Sequence, residues 1–176
     1  LDTHFETTAD VSVADYLEMI DGKTAALLSA CFELGAVAGG APDDHVATLA
    51  EAGRQAGRAF QIQDDLLDVT ADDENWGKAV GGDLQNGKRT YVTLKALEAA
   101  DGEDREWFSR LLDGGITVDE VPEARRRMQA LGVFDEARSA VAAYTEDAFD
   151  RLSVLPGTAA SHHLTWLLEK LQARSH

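Results

Sequence analysis

Apolar positions recur every three or four residues along most of the chain, and this spacing predicts helices. The longest apolar pattern covers residues 13–37 and stops at Gly39-Gly40-Ala41-Pro42. A second pattern starts at Asp43 or Asp44 and runs to about Val69. Shorter patterns predict further helices over residues 90–99, 104–113, 118–131, 135–152 and 158–173. The alternation typical of strands is missing, so the sequence predicts an all-α fold.

Two local signals shape the first predicted helix. Ser12 is a candidate N-cap, and Asp15 three residues later makes an imperfect capping box. Asp21-Gly22 interrupts the apolar pattern just before Lys23-Thr24. Because glycine costs about 1 kcal/mol inside a helix, the helix either kinks at this point or simply tolerates the residue. The sequence leaves both possibilities open.

Three aspartates lie close together near the end of the second predicted helix. Asp64 and Asp68 are one turn apart on the same side, and Gln61 precedes Asp64 by one turn. Asp65 is rotated about 100° from that line. Like charges one turn apart repel each other by roughly a few tenths of a kcal/mol. A bound divalent cation would turn this repulsion into attraction.

The neighbouring residues indicate which cation and which ligand would fit. Magnesium prefers oxygen ligands, and it usually takes one or two protein carboxylates together with water and substrate phosphate. Lys78 and Lys88 follow the aspartates and could bind the same phosphates. The combination predicts a site for a magnesium diphosphate.

Composition narrows the class of protein. The 176 residues are 44% hydrophobic and carry a net charge of −16, which disfavours nucleic acid as a partner because its phosphates would be repelled. Of the five lysines, three stand at positions 23, 78 and 88, which favours a functional role for them. The single cysteine, Cys31, excludes an intramolecular disulfide. We see no signal peptide and no apolar run suited to an integral membrane segment, so we expect a cytoplasmic protein.

The motifs resemble those of a known family when they are taken together. Residues 60–68 read FQIQDDLLD, Gly77-Lys78 follows, and residues 83–90 read DLQNGKRT. This ordered set resembles the second aspartate-rich region of the trans-isoprenyl diphosphate synthases, the polyprenyl synthetase family. Residues 16–25 resemble the helix that carries a Lys-Thr pair in that family. A lone DDxxD motif arises by chance on acidic helices, whereas the set at these spacings is specific over about residues 1–100.

The resemblance implies a fold and an activity. The fold would be an antiparallel helical bundle of the isoprenoid synthase type. The first aspartate-rich motif has no counterpart here, so residues 1–176 are expected to form the C-terminal portion of an isoprenoid synthase domain. The full-length protein would be a homodimeric trans-prenyltransferase that adds isopentenyl diphosphate to an allylic diphosphate. We expect the 176 residues alone to be inactive.

The resemblance also assigns roles to the aspartates. Asp64 would be the main Mg²⁺ ligand, with Asp65 and Asp68 beside it. Asp83 would support these ligands without contacting the metal ion. The implied cofactor is therefore Mg²⁺, bound together with the substrate diphosphate.

Other residues would contact the substrate in the same family. Lys23, Lys78 and Lys88 would hold the allylic diphosphate. Thr24, Gln61 and the carbonyl of Lys23 would direct negative dipoles at the allylic cation, and the leaving diphosphate would accept the final proton.

Three alternatives remain at this point. The chain could be a non-catalytic subunit of a heteromeric prenyl synthase, or a terpene cyclase of the same fold. A cyclase would carry an Asn/Asp-x-x-Ser/Thr-x-x-x-Glu motif instead of the second DDxxD, and the sequence has no such motif. A helical domain of unrelated function is disfavoured by the joint spacing of the motifs.

Overall fold

The structure is a computed structural model that describes residues 11–71 and 81–172, without the side chains of residues 171 and 172. Over these ranges it is helical and contains no strand, which confirms the all-α prediction. The elements in chain order are α1 (Val13–Ile20), a π-helical turn (Asp21–Ala25), α2 (Ala26–Ala38), α3 (Asp43–Thr70), α4 (Gly82–Gln85), α5 (Tyr91–Ala99), α6 (Gly102–Gly114), a 3₁₀ turn (Val118–Glu120), α7 (Val121–Ala130), α8 (Val133–Ser153) and α9 (Ala159–Gln172).

Side-chain caps fix where two of these helices begin. Before α1, the Ser12 hydroxyl and backbone N–H both donate to Asp15 Oδ2, at 2.5 and 2.9 Å, and the Asp15 N–H donates to Ser12 Oγ at 3.2 Å. The predicted capping box is therefore present. Before α5, the Thr90 N–H donates to Thr93 Oγ1 at 2.9 Å. Each cap satisfies backbone donors that a helix start leaves unpaired.

The interruption at Asp21-Gly22 is a π-helical turn. The Ala26 N–H donates to the Asp21 carbonyl, five residues back, so the backbone makes one wider turn before α2 resumes the α-helical pattern. Single π-turns inside α-helices recur at functional sites. The structure thus settles the question that the sequence left open, since the helix changes its winding without ending.

The described residues divide into two compact units. Unit 1 contains residues 11–17, 62–71 and 81–139, and unit 2 contains residues 18–61 and 140–172, so α3 contributes to both. In unit 1 the fully buried apolar side chains include Leu84, Val92, Phe108, Leu111, Met128 and Val133. The core of unit 2 is formed by α2, α3, α8 and α9 through Phe32, Ala36, Leu49, Ala52, Ala56, Ala148, Leu152 and Leu168.

The length and the apolar character of the helices determine whether one of them could span a membrane. Within residues 11–71 and 81–172, none of the helices combines the length and the apolar character that a bilayer-spanning segment requires.

Candidate functional site

The three predicted metal-binding aspartates lie on the last turns of α3, in unit 1. Their environments differ sharply. Asp64 is exposed, Asp68 is half-buried and Asp65 is only 4% exposed. We call these three residues the aspartate-rich end of α3. The difference in exposure follows from the helix period, because a step of one residue turns a side chain by about 100°.

Asp65 is engaged in contacts with neighbouring helices. Its Oδ2 atom accepts hydrogen bonds from the Tyr16 hydroxyl at 2.6 Å and from the Tyr91 N–H at 2.9 Å. The two tyrosine rings meet edge to face, with centroids 6.0 Å apart. Burial raises the pKa of Tyr16 well above its usual value, and the Asp65 charge adds to the effect. These contacts engage Asp65 Oδ2 and join the end of α3 to Tyr16 and Tyr91.

Asp68 lies against the backbone at the start of α4. Its Oδ2 atom accepts the Asp83 N–H at 3.0 Å, and its carbonyl accepts the Gly81 N–H at 2.7 Å. Burial raises the pKa of the Asp68 carboxyl, and the nearby charges of Asp83 and Asp64 act in the same direction. The hydrogen bond from Asp83 and the charge of Lys88 oppose this shift. The carboxylate is thus in a place where additional positive charge would stabilise it.

Lys88 completes the cluster in unit 1. Its ammonium group is 2.6 Å from Asp83 Oδ1, and its side chain is 50% exposed. The hydrogen bond to Asp83 raises the pKa of Lys88. The structure therefore brings Asp68, Asp83 and Lys88 together beside Asp64. Lys78, the other lysine predicted in this region, lies outside the described residues.

The turn between α4 and Lys88 depends on Gly87. This residue has a φ of +62°, in the region that side chains rarely adopt. A Cβ atom there would also lie 2.8 Å from the Leu111 carbonyl oxygen and 2.9 Å from the Gly115 nitrogen. The backbone of the DLQNGK segment thus packs directly on the end of α6, which sets the position of Lys88.

The remaining predicted residues lie in unit 2. Lys23 and Thr24 belong to the π-turn, where Lys23 is exposed and Thr24 is half-buried. The Thr24 hydroxyl donates to Gln61 Oε1 on α3 at 2.8 Å. The structure therefore brings Thr24 and Gln61 into contact.

The donor set can be tested against a magnesium ion. Among the side chains of the described ranges, no group of three aspartate, glutamate, histidine or cysteine residues is arranged to hold a metal ion. Magnesium, however, needs only one or two protein carboxylates when phosphate and water supply its other ligands. The exposed Asp64 and the half-buried Asp68 fit that requirement. Asp64 and Asp68 are therefore better suited to an ion that binds together with a diphosphate than to an ion that protein ligands alone hold permanently.

Two arginines have roles that the sequence did not reveal. Residues 125–127 look like a solvated basic face, but Arg125 donates from Nε to the Val69 carbonyl and from Nη2 to the Ala71 carbonyl at 2.8 Å. Arg125 thereby caps the C-terminus of α3 directly after Asp68. Arg127 pairs with Asp104 and Glu123 and lies over the Trp107 ring. The solvated-face interpretation is wrong for both residues, and no pattern along the chain indicates these distant partners.

Comparisons with known proteins agree with these observations. The polyprenyl synthetase family profile matches residues 1–128. The chain is 39% identical, over its whole length, to a short chain isoprenyl diphosphate synthase from Methanothermobacter thermautotrophicus, of which it covers 54%. Other relatives are named geranylgeranyl, geranylfarnesyl and nonaprenyl diphosphate synthases. The chain spans about half the length of the curated relatives it matches.

Solved structures give the same result. A geranylgeranyl pyrophosphate synthetase from Pyrococcus horikoshii superimposes with a TM-score of 0.90 at 34% identity, covering 98% of this chain and 53% of that one. A polyprenyl synthase from Caulobacter crescentus, solved in complex with calcium and isoprenyl diphosphate, has a TM-score of 0.89 at 29% identity and covers 99% and 54% of the two chains. The fold is that of the isoprenoid synthases, and the chain belongs to the polyprenyl synthetase family.

Proposed function

We propose that this chain provides the second aspartate-rich half of a trans-prenyltransferase that adds isopentenyl diphosphate to an allylic diphosphate. The observation that carries the proposal is the grouping of Asp68, Asp83 and Lys88 beside the exposed Asp64. Carboxylates and an ammonium group at such close range suit a ligand with both metal charge and phosphate charge. The family assignment supports this chemistry over terpene cyclisation.

The proposed reaction places specific demands on these residues. The bond between the allylic carbon and the diphosphate oxygen breaks, and the electron pair leaves with the diphosphate. The isopentenyl double bond then attacks the allylic carbon, and the loss of one proton gives a product five carbons longer. A bound divalent metal would supply positive charge that stabilises the leaving diphosphate. We assign magnesium to this role, with Asp64 as its main ligand and Asp68 beside it.

The lysines would share the charge of the leaving group. Lys88, held by Asp83, and Lys23 on the π-turn would bind diphosphate oxygens. We assign the same role to Lys78 from its sequence position. Thr24 and Gln61, in contact with each other, would direct oxygen dipoles at the allylic cation. Asp65 would act through its contacts with Tyr16 and Tyr91, which hold the end of α3 in place.

We further propose that residues 1–176 are the C-terminal portion of one isoprenoid synthase domain. Coverage of about half of each relative supports this. The outer face of α2 supports it too, because Leu27, Leu34 and Val37 are 67%, 68% and 59% exposed. A continuous exposed apolar face on one helix is typical of a surface that another element covers. The homodimer and the cytoplasmic location remain predictions from the sequence.

A chimera tests the proposed activity. These 176 residues would replace the aligned part of the Methanothermobacter relative, and incorporation of labelled isopentenyl diphosphate would be measured. We expect an active chimera, and we expect Asp64→Asn to lower its kcat by about a hundredfold because a metal ligand is lost. The matched control is Asp113→Asn, which changes an exposed aspartate on α6. It should leave kcat within about twofold.

The unmodified chain gives the complementary measurement. Because other family ligands lie on the first aspartate-rich motif, the 176-residue chain alone should incorporate labelled isopentenyl diphosphate only at background. A chimera in which Asp64→Asn keeps full activity would contradict the proposed site. An inactive chimera that still binds magnesium diphosphate would instead support a non-catalytic subunit.

A further inference from the structure

An ion pair holds the first residue of the π-turn in unit 2. Arg58 on α3 donates from Nε to Asp21 Oδ1 at 2.6 Å and from Nη2 to Asp21 Oδ2. The two side chains are only 22% and 23% exposed. The guanidinium group also lies over the Tyr144 ring, 5.6 Å from its centroid. A two-pronged pair of this kind fixes orientation as well as distance, because the planar fork matches the carboxylate.

Two further contacts join the same turn to the same stretch of α3. A Cβ atom on Gly57 would lie 2.5 Å from the Ala25 Cα atom, so the two backbones touch at this point. Thr24 donates to Gln61 one turn further along. The ion pair therefore holds the beginning of the π-turn. The hydrogen bond holds its middle, and the glycine contact holds its end.

The ion pair has a specific consequence for backbone conformation. The Asp21 carbonyl accepts the Ala26 N–H, which is the hydrogen bond that defines the wide turn. π-helical winding is rare, and an uninterrupted α-helix would pair this carbonyl with the Ala25 N–H instead. Rewinding would rotate Asp21 about the helix axis and break its two-pronged contact with Arg58. The pair thus stabilises the wide turn against the ordinary one.

We propose that Arg58 is a positioning residue that keeps Asp21–Ala25 in the π conformation and thereby sets the direction of the Lys23 side chain and carbonyl. The catalytic consequence rests on the proposed function, in which Lys23 binds diphosphate oxygens. The effect of Arg58 on the conformation of the turn does not depend on that function. Neither Arg58 nor Asp21 is proposed to contact the substrate.

Amide hydrogen exchange by NMR on the 176-residue chain tests the proposal. The Ala26 amide reports the π hydrogen bond, and the Ala52 amide of α3, in the same unit, reports general opening. In Arg58→Met we expect the Ala26 amide to exchange about tenfold faster relative to Ala52, because it gives up the Asp21 carbonyl each time the turn interconverts between the π and the α winding. The Lys23 and Thr24 backbone chemical shifts should move as well. Arg58→Lys, which keeps the charge but not the fork, should recover part of the protection.

The control variant is Arg54→Met, which removes another arginine one turn earlier on α3. Arg54 pairs with Glu51 at 3.3 Å on the helix surface, so its loss should leave the ratio of the two exchange rates unchanged. Asp21→Asn provides a second route to the same result if Arg58→Met does not fold. The proposal is overturned if a folded variant leaves both the ratio and the Lys23 and Thr24 chemical shifts unchanged. Equal acceleration of both amides overturns it as well. Because no substrate is present, failure of the chimera would leave this result intact.

Discussion

The aspartate-rich end of α3 and the π-turn arrange polar groups by different physical means. In unit 1, Asp65 and Asp68 are held by hydrogen bonds from Tyr16, Tyr91 and Asp83, so charge and hydrogen bonding determine the geometry. In unit 2, the π-turn is packed backbone to backbone on a glycine of α3 and then pinned by one ion pair. We therefore expect the first region to respond to charge and pH, and the second to respond to side-chain volume as well as to the loss of its ion pair.

The largest effect should come from filling the glycine contact in unit 2. Gly57→Ala adds a Cβ atom 2.5 Å from Ala25 Cα and 2.9 Å from Ala25 Cβ, so backbone must move. Overpacking of this kind costs about 3 kcal/mol, which urea denaturation followed by circular dichroism would measure.

Gly35→Ala is the matched control for the glycine contact. A Cβ atom at Gly35 meets nothing within 4 Å, so this change on α2 should raise stability by about 0.5 kcal/mol. Equal effects of the two substitutions would show that packing does not determine the position of the π-turn.

The next effect tests the hydrogen-bonded carboxylate in unit 1. Asp65→Ala leaves the Tyr16 hydroxyl and the Tyr91 N–H without their shared acceptor. Since an unsatisfied buried donor costs about 1–3 kcal/mol, we expect a loss of about 2 kcal/mol in the free energy of unfolding. Asp64→Ala, which changes an exposed aspartate on the same helix, should have little effect on stability. A similar loss of stability in both variants would contradict the proposal that Asp65 stabilises the fold and Asp64 does not.

These two regions also show what the sequence could predict. The cap of α1 and the end of α2 were predicted because Ser12, Asp15 and Gly39 act on residues close to them in the chain. The cluster of Asp68, Asp83 and Lys88 could be anticipated because it lies within about twenty residues. Contacts between residues that are close together in the chain could therefore be predicted from the sequence.

Contacts between distant residues could not be predicted in the same way. Asp65 belongs to the DDxxD motif, yet its partner Tyr16 is 49 positions away, and Arg125 caps α3 from 56 positions beyond Val69. A motif records which residue types occur together, but burial depends on which helices pack against them. The π-turn was predicted only in part, because Gly22 indicates an irregular helix but does not indicate the type of irregularity.

A change of pH should also distinguish the two regions, although its effect on the free energy of unfolding is smaller. The pKa of Tyr16 is raised in the folded protein by burial and by Asp65, so above pH 10 the unfolded chain ionises first and stability falls with rising pH. This single group contributes at most about 1.4 kcal/mol per pH unit. The free energy of unfolding of Tyr16→Phe should therefore fall less steeply than that of the unchanged chain above pH 10. Equal slopes in urea denaturation would show that the hydroxyl is not buried against Asp65.

Substitution of Lys88 should have the smallest effect on the free energy of unfolding but a large effect on substrate binding. Lys88 is half-exposed, and its pair with Asp83 is the kind of surface contact worth less than about 1 kcal/mol. Lys88→Met should therefore unfold at nearly the same urea concentration, while in the chimera the KM for the allylic diphosphate should rise about tenfold because one phosphate contact is lost. Lys95→Met is the control, since Lys95 pairs with the glutamates Glu98 and Glu136 and not with Asp83. If both lysine variants raised the KM equally, Lys88 would act through the overall positive charge of the region. It would then not act through a direct contact with the diphosphate.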